Sequence, residues 1–145
     1  MIVAEGGSGV AGKAALEKLT DKWSDTKVLV GVKDMASLMS DCDLVVSKIG
    51  GTALEAMCIG IAGVMIEPSP AHFELTSALA KIYPDWPMVE LGLANEIDMR
   101  KVADQILGIL GDPEFLRSAG QHGVELIDGL GCRRVLKELL GEMDG

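Results

Sequence analysis

Two glycine-rich stretches have residue types that suit the binding of a phosphate. The first, residues 6–13, reads Gly-Gly-Ser-Gly-Val-Ala-Gly-Lys between a predicted strand and a predicted helix. Free amides at a helix N-terminus attract anions, and glycines let a phosphate approach the backbone. The spacing Gly7-x-Gly9-x-x-Gly12 fits the dinucleotide pattern, and most of a P-loop also fits, although Ala14 stands where Ser or Thr would hold magnesium. A tight turn with close helix packing is the alternative that needs no ligand.

The second stretch, residues 47–56, reads Ser-Lys-Ile-Gly-Gly-Thr-Ala-Leu-Glu-Ala. Thr52-x-x-Glu55 has the spacing of a capping box, in which hydroxyl and carboxylate satisfy the free amides of a first helical turn. That structural role could explain both residues. The helix also follows a strand, so its N-terminus would face a ligand crevice, where the Glu55 carboxylate could accept hydrogen bonds from a ribose diol.

Three further residues are candidates for polar contacts with a ligand. Lys48 precedes the Gly-Gly pair and could neutralise phosphate charge, with an ordinary solvated lysine as the alternative. His72 lies in a predicted loop, residues 68–74, and could act as an acid or contact a phosphate, with a solvated loop histidine as the alternative. Glu67 ends a predicted strand on the same side of the sheet and is a candidate polar contact.

These residues must be positioned by the elements around them. The strand patterns are continuous apolar runs, which are typical of a parallel sheet covered on both faces. We therefore predict an α/β fold, a single three-layer Rossmann-like domain over residues 1–145 whose ligands bind beyond the carboxyl ends of the strands. The predicted strands are 1–5, 27–32, 44–47, 62–67 and 88–91. The predicted helices are 10–21, a short helix capped by Asp34 that ends at about residue 40, and 52–59, 73–81, 96–110, 113–128 and 133–142.

Composition excludes several classes of protein. The chain has 145 residues with a formal net charge of −9 and 3% aromatic residues, which argues against nucleic-acid binding. No apolar stretch is long enough to span a bilayer, and no secretory signal opens the chain. The cysteines Cys42, Cys58 and Cys132 form no C-x-x-C pair, so neither disulfides nor a metal site is indicated. We expect a cytoplasmic protein that needs no cofactor.

The segment Asp43–Gly60 resembles the nucleotide-binding half of GT-B glycosyltransferases. The most similar members are the UDP-sugar hydrolase of pseudaminic-acid synthesis with its spore-coat-polysaccharide relatives, and the peptidoglycan N-acetylglucosaminyltransferase. Three other segments agree in order along the chain: Gly6-Gly7-Ser8 as a phosphate loop, Val32–Met35 as a base-binding segment, and Asp128–Val135 as a D-G-x-G-x-x-R-V tail. The resemblance spans essentially the whole chain, and it implies a GT-B carboxyl-terminal domain.

The resemblance also implies a set of roles for a UDP-type nucleotide-diphosphate sugar. Val32 would offer backbone groups to the uracil, and Glu55 would hold the ribose hydroxyls. The diphosphate would lie against the phosphate loop and the N-terminus of the following helix, which together comprise Gly7, Ser8, Gly50, Gly51 and Thr52. The family's Asn-Gln pair, which contacts the donor, corresponds here to Phe73-Glu74, so His72 and Glu74 are candidate donor contacts. No catalytic residue is assigned.

A GT-B enzyme has two such domains, with the active site in the cleft between them. The resemblance therefore implies that an amino-terminal domain or a partner subunit completes the site. Two alternatives stay open: a non-catalytic binding or assembly module that keeps the fold, and an NAD(P)-binding oxidoreductase domain, indicated by the spacing of Gly7, Gly9 and Gly12.

Overall fold

A computed structural model describes residues 2–5, 17–18 and 25–141, with only the backbone described for residues 2–5. Strands and helices alternate along the chain, as predicted. The strands are β1 (Ile2–Glu5), β2 (Lys27–Val30), β3 (Val45–Ser47), β4 (Gly63–Glu67) and β5 (Met88–Leu93). The helices are α1 (Met35–Ser40), α2 (Gly51–Cys58), α3 (Pro70–Ile82), α4 (Met99–Leu110), α5 (Pro113–Leu126) and α6 (Gly131–Leu140).

The chain forms two compact units, Met1–Met35 and Ala36–Gly145. In the first, β1 and β2 pair in parallel, with Ile2 opposite Lys27. Glu17 and Lys18 are helical, and the rest of the predicted 10–21 helix lies outside the described residues.

In the second unit the strand order is β3-β4-β5, and all pairs are parallel. The predicted parallel α/β fold is thus confirmed. The register shifts between Met65 and Ile66, because Met65 pairs with Glu90 and Ile66 with Gly92. Gly92 has φ 115°, a value that favours glycine at this irregularity.

The core of the second unit lies where α2 meets β4 and β5. It is built from buried residues that include three methionines, which fill irregular gaps well: Ile49, Ala53, Met57, Met65 and Met88. Leu79, Trp86, Leu126 and Ile127 pack against this cluster from outside. The continuous burial of Gly63, Val64 and Met65 explains why β4 reads as an unbroken apolar run.

Helices α2 and α5 approach each other backbone to backbone. A Cβ added to Gly120 would overlap the carbonyl oxygen of Gly60, and one added to Gly123 would lie 2.8 Å from the carbonyl oxygen of Met57. Gly60 has φ 78°, which allows the chain to turn at the end of α2. Glycine is therefore required on α5 for α2 to lie where it does.

Two helices begin three residues away from their predicted starts. Helix α3 begins at Pro70 rather than at residue 73, because proline suits the first turn of a helix. Helix α4 begins at Met99 rather than at residue 96, because the side chain of Asp98 caps it by accepting from the amide of Arg100. Within the described residues, no helix is both long and apolar enough to cross a membrane.

We expect Gly120→Ala to lower the free energy of unfolding by about 1–3 kcal/mol, because the new methyl group must push α2 and α5 apart. Gly108→Ala in α4 is the matched control, since its methyl group would meet nothing within 4 Å. The control should be neutral or more stable by up to about 1 kcal/mol. Urea denaturation of both variants measures the difference, and equal stabilities would contradict the close contact.

Candidate functional site

The N-terminus of α2 follows the carboxyl end of β3 and is open. Its N-cap is Gly50, with φ 153°, and among the described residues no side chain caps it. The amide of Leu54 donates to the carbonyl of Gly50, so the amides that precede Leu54 have no earlier carbonyl within the helix. Gly51 and Thr52 are exposed. This end of α2 can therefore present free amides to an anion.

The predicted capping box does not form. The helix begins at Gly51, one residue earlier than predicted, so Thr52 is its second residue and not its cap. Glu55 is exposed, one turn further along the helix. The capping interpretation of Thr52 and Glu55 is wrong, because the Gly-Gly pair lets the chain enter the helix without a side-chain cap. Both side chains are left at the surface.

Lys48 brings a positive charge to the same end of α2. Its Nζ donates to the carbonyl of Ile49 at 3.3 Å and lies 3.3 Å from the position that a Cβ on Gly50 would take. The ammonium group thus stands over Gly50, where it adds to the positive end of the helix dipole. The structure brings together Lys48, Gly50, Gly51 and Thr52.

Glu67 lies on the interior side of this loop rather than on the side that faces solvent. Its side chain is fully buried at the end of β4. Its Oε1 accepts from the amide of Ile49 at 3.0 Å and from the hydroxyl of Thr76 at 3.0 Å. The expectation that Glu67 contacts a ligand is wrong, because its carboxyl group is directed into the protein and bonded to the glycine loop and to α3.

A second glutamate, Glu90 on β5, lies near Glu67. Its Oε2 accepts from the hydroxyl of Ser77 at 3.3 Å, while its Oε1 is buried and, within the described residues, has no partner. Burial raises the pKa of Glu90; the Ser77 hydrogen bond opposes this, and the nearby Glu67 raises the pKa further. Glu90 is thus easier to protonate than a solvated glutamate.

His72 and Glu74 lie on α3 and not in a loop. His72 is in the first turn of the helix, half-buried, with its Nδ1 2.7 Å from the hydroxyl of Ser69. Its backbone carbonyl accepts from Thr76, the residue that also bonds Glu67. The prediction of a loop at residue 72 is wrong because Pro70 starts the helix. Glu74 is exposed.

The remaining candidates lie in the first unit. Val32 follows β2 and is half-buried. The neighbouring Gly31 has φ 67°, which turns the chain directly after the strand. Gly7 and Ser8 lie outside the described residues.

The Asp128–Arg134 pair gives the carboxyl-terminal motif a structural role. Asp128 accepts from the amide of Leu130 at 3.0 Å and from Nη1 of Arg134 at 3.0 Å, and its Oδ2 pairs with Nη2. The hydrogen bond from Arg134 holds the pKa of Asp128 below its usual value. Gly129, with φ 72°, completes the turn. These residues close the turn that leads into α6.

A cavity of about 360 Å³ lies beside β5 and α4, and it contains none of the predicted site residues. It is lined by Phe73, Leu91, Gly92, Leu93, Glu96, Ile97, Asp98, Lys101, Val102 and Gln105. Among the described residues, no cluster of His, Cys, Asp or Glu could hold a metal ion.

Comparison with known proteins supports the GT-B resemblance. The fold is that of the Rossmann-like carboxyl-terminal domain of GT-B glycosyltransferases: the chain matches the crystal structure of MurG from Acinetobacter baumannii with a TM-score of 0.68 at 16% identity, over 98% of this chain and 49% of that one. In sequence it is 27% identical over 130 residues to the spore coat polysaccharide biosynthesis protein SpsG of Bacillus subtilis (strain 168).

The match to SpsG covers 89% of this chain and 37% of SpsG. The chain thus spans less than half the length of both proteins. No protein-family model matches it. The resemblance to a GT-B carboxyl-terminal domain, expected from the sequence, is confirmed by these two similarities.

We expect Glu90→Gln to change how stability depends on pH. Because the pKa of Glu90 is raised by folding, its contribution to stability falls as the pH rises from the ordinary value of 4.5 through the raised one. As the pH rises between these two pKa values, the free energy of unfolding of Glu90→Gln should therefore increase relative to that of the wild type. Urea denaturation at a series of pH values measures the gain, and a constant difference would contradict it.

Proposed function

We propose that this chain is the nucleotide-sugar-binding half of a glycosyltransferase-like or UDP-sugar-hydrolase-like protein, and that it binds the diphosphate of a UDP-type ligand at the N-terminus of α2. The chemistry would be attack on the anomeric carbon with UDP as the leaving group. The role proposed for this chain in that reaction is electrostatic, because it would stabilise the negative charge on the leaving group.

The uncapped N-terminus of α2 carries the proposal. Among the described residues, no side chain caps this helix, and its first amides lie beside two exposed residues, Gly51 and Thr52. It lies at the carboxyl end of a parallel strand, the edge of the sheet where α/β proteins bind ligands. Lys48 supplies the positive charge that an anion needs against a chain of net charge −9.

Glu55 is the proposed contact for the ribose. It is exposed one turn beyond the open amides, and capping does not account for it. A carboxylate can accept hydrogen bonds from both hydroxyls of a ribose diol. The resemblance further supports Gly7 and Ser8 as proposed contacts for the diphosphate and Val32 for the uracil. His72 and Glu74 are proposed donor contacts.

The proposed site needs a second half. Both similar proteins are more than twice as long as the stretch that matches. We propose that the whole site needs a further domain or a partner subunit, which would supply the catalytic group. Binding of the nucleotide by this half alone is the property that can be tested directly.

Calorimetric titration with UDP, UDP-N-acetylglucosamine, NAD and NADP tests the ligand class. We expect saturable binding of UDP, and Glu55→Gln should weaken it by about tenfold or more, because Gln offers one neutral acceptor oxygen where the carboxylate offers two charged ones to the ribose diol. Glu138→Gln on the exposed helix α6 is the control and should bind as the wild type does. Preference for NAD or NADP, or an unchanged affinity in Glu55→Gln, would contradict the proposal.

Lys48→Met should weaken UDP binding by about threefold or more, because it removes a positive charge from the end of α2. Its effect should shrink as salt concentration rises, since exposed charges are screened. Lys81→Met, which removes an exposed charge from the last turn of α3, is the control. A loss of affinity equal in the two variants, or independent of salt, would argue against a phosphate contact at Lys48.

A further inference from the structure

We infer that Glu67 is a positioning residue for the diphosphate site, an inference that rests on the proposed function. It makes no contact with the ligand. It acts through the amide of Ile49, whose orientation sets how the chain enters Gly50 and the N-terminus of α2.

The geometry joins three segments at one oxygen atom. Oε1 of Glu67 accepts from the amide of Ile49, 18 residues earlier, and from the hydroxyl of Thr76, nine residues later. The same hydroxyl lies 3.1 Å from the carbonyl oxygen of His72 in the first turn of α3, so its single proton is shared between the two acceptors. All of this is buried, since Glu67 and Thr76 are both fully inaccessible. The loop before α2 is therefore tied to β4 and to α3 through Glu67.

The loop needs such an anchor because its next two residues are glycines. Gly50 adopts φ 153°, and glycine has more accessible backbone conformations than any other residue. The Ile49 side chain packs in the core and fixes the position of that residue. The hydrogen bond to Glu67 fixes the orientation of the peptide plane between Lys48 and Ile49. That orientation helps to set the path of the backbone on either side, through Lys48 and through Gly50.

The second carboxyl oxygen of Glu67 makes no hydrogen bond within the described residues, so it can be replaced while the first oxygen is kept. Oε2 is buried and has no partner among the described residues. Glu67→Gln keeps an oxygen acceptor for Ile49 and Thr76, whereas Glu67→Met has similar volume and offers none. Thr76→Val is the matched control, because it removes the bond from α3 and leaves the bond from Ile49 intact.

Two measurements on the full chain test the inference: the affinity for UDP, and hydrogen exchange of the Ile49 amide without nucleotide. We expect Glu67→Met to expose the Ile49 amide and to weaken UDP binding by about tenfold or more. Glu67→Gln should keep the protection of Ile49 and bind UDP within about threefold of the wild type. Thr76→Val should lose stability and keep both the Ile49 protection and the affinity.

Each other outcome points to a different failure. An Ile49 amide that exchanges equally in the wild type and in Glu67→Met overturns the bond, whereas failure of the wild type to bind UDP overturns the proposed function and the role of Glu67 with it. If the Ile49 amide of Glu67→Met exchanges faster but the affinity for UDP is unchanged, the positioning role of Glu67 is overturned, whereas the hydrogen bond and the proposed function stand. If Glu67→Met does not fold, Glu67→Asp replaces it, since it keeps a carboxyl group and shortens its reach by one methylene.

Discussion

The second unit depends on one buried carboxyl group. Glu67 stands at the carboxyl end of the central strand of β3-β4-β5, where a buried polar group is costly unless it is hydrogen-bonded. Its partners, Ile49 and Thr76, come from the segments on either side of β4 in the chain. The demand of this single group for hydrogen bonds thus ties together the loop before α2, the central strand and the start of α3.

A second constraint sets the position of α2 from the opposite end. Gly120 and Gly123 let α5 touch the backbone at the end of α2, while the Gly50–Gly51 pair frees its beginning from a side-chain cap. The helix is thus held firmly at its carboxyl end and left open at its amino end. That combination suits a helix whose N-terminus serves a ligand rather than its own stability.

Much of this arrangement could be predicted from the sequence. The apolar runs locate the five strands that the structure describes, and their unbroken apolar character correctly predicts parallel pairing. The errors were local. The loop predicted at Pro70 is part of a helix, because proline favours the first helical turn. The capping box, one of two interpretations of Thr52, does not form because the preceding glycines let the helix start earlier.

The role of Glu67 could not be predicted, because its partners are distant in sequence and neither is charged. The sequence signal was a lone glutamate at the end of an apolar strand, which could equally face a ligand or the interior. Only the fold distinguishes the two.

Helix α6 differs from the elements above, because no residue of Gly131–Leu140, all of which the structure describes, is buried. Leu139 and Leu140 expose 75% and 65% of their surface. A helix that removes so little apolar area from water adds little to the cooperativity of the second unit, so it can open and reclose while the sheet stays intact. Its exchange with solvent would then report a local equilibrium, separate from the global unfolding of the domain.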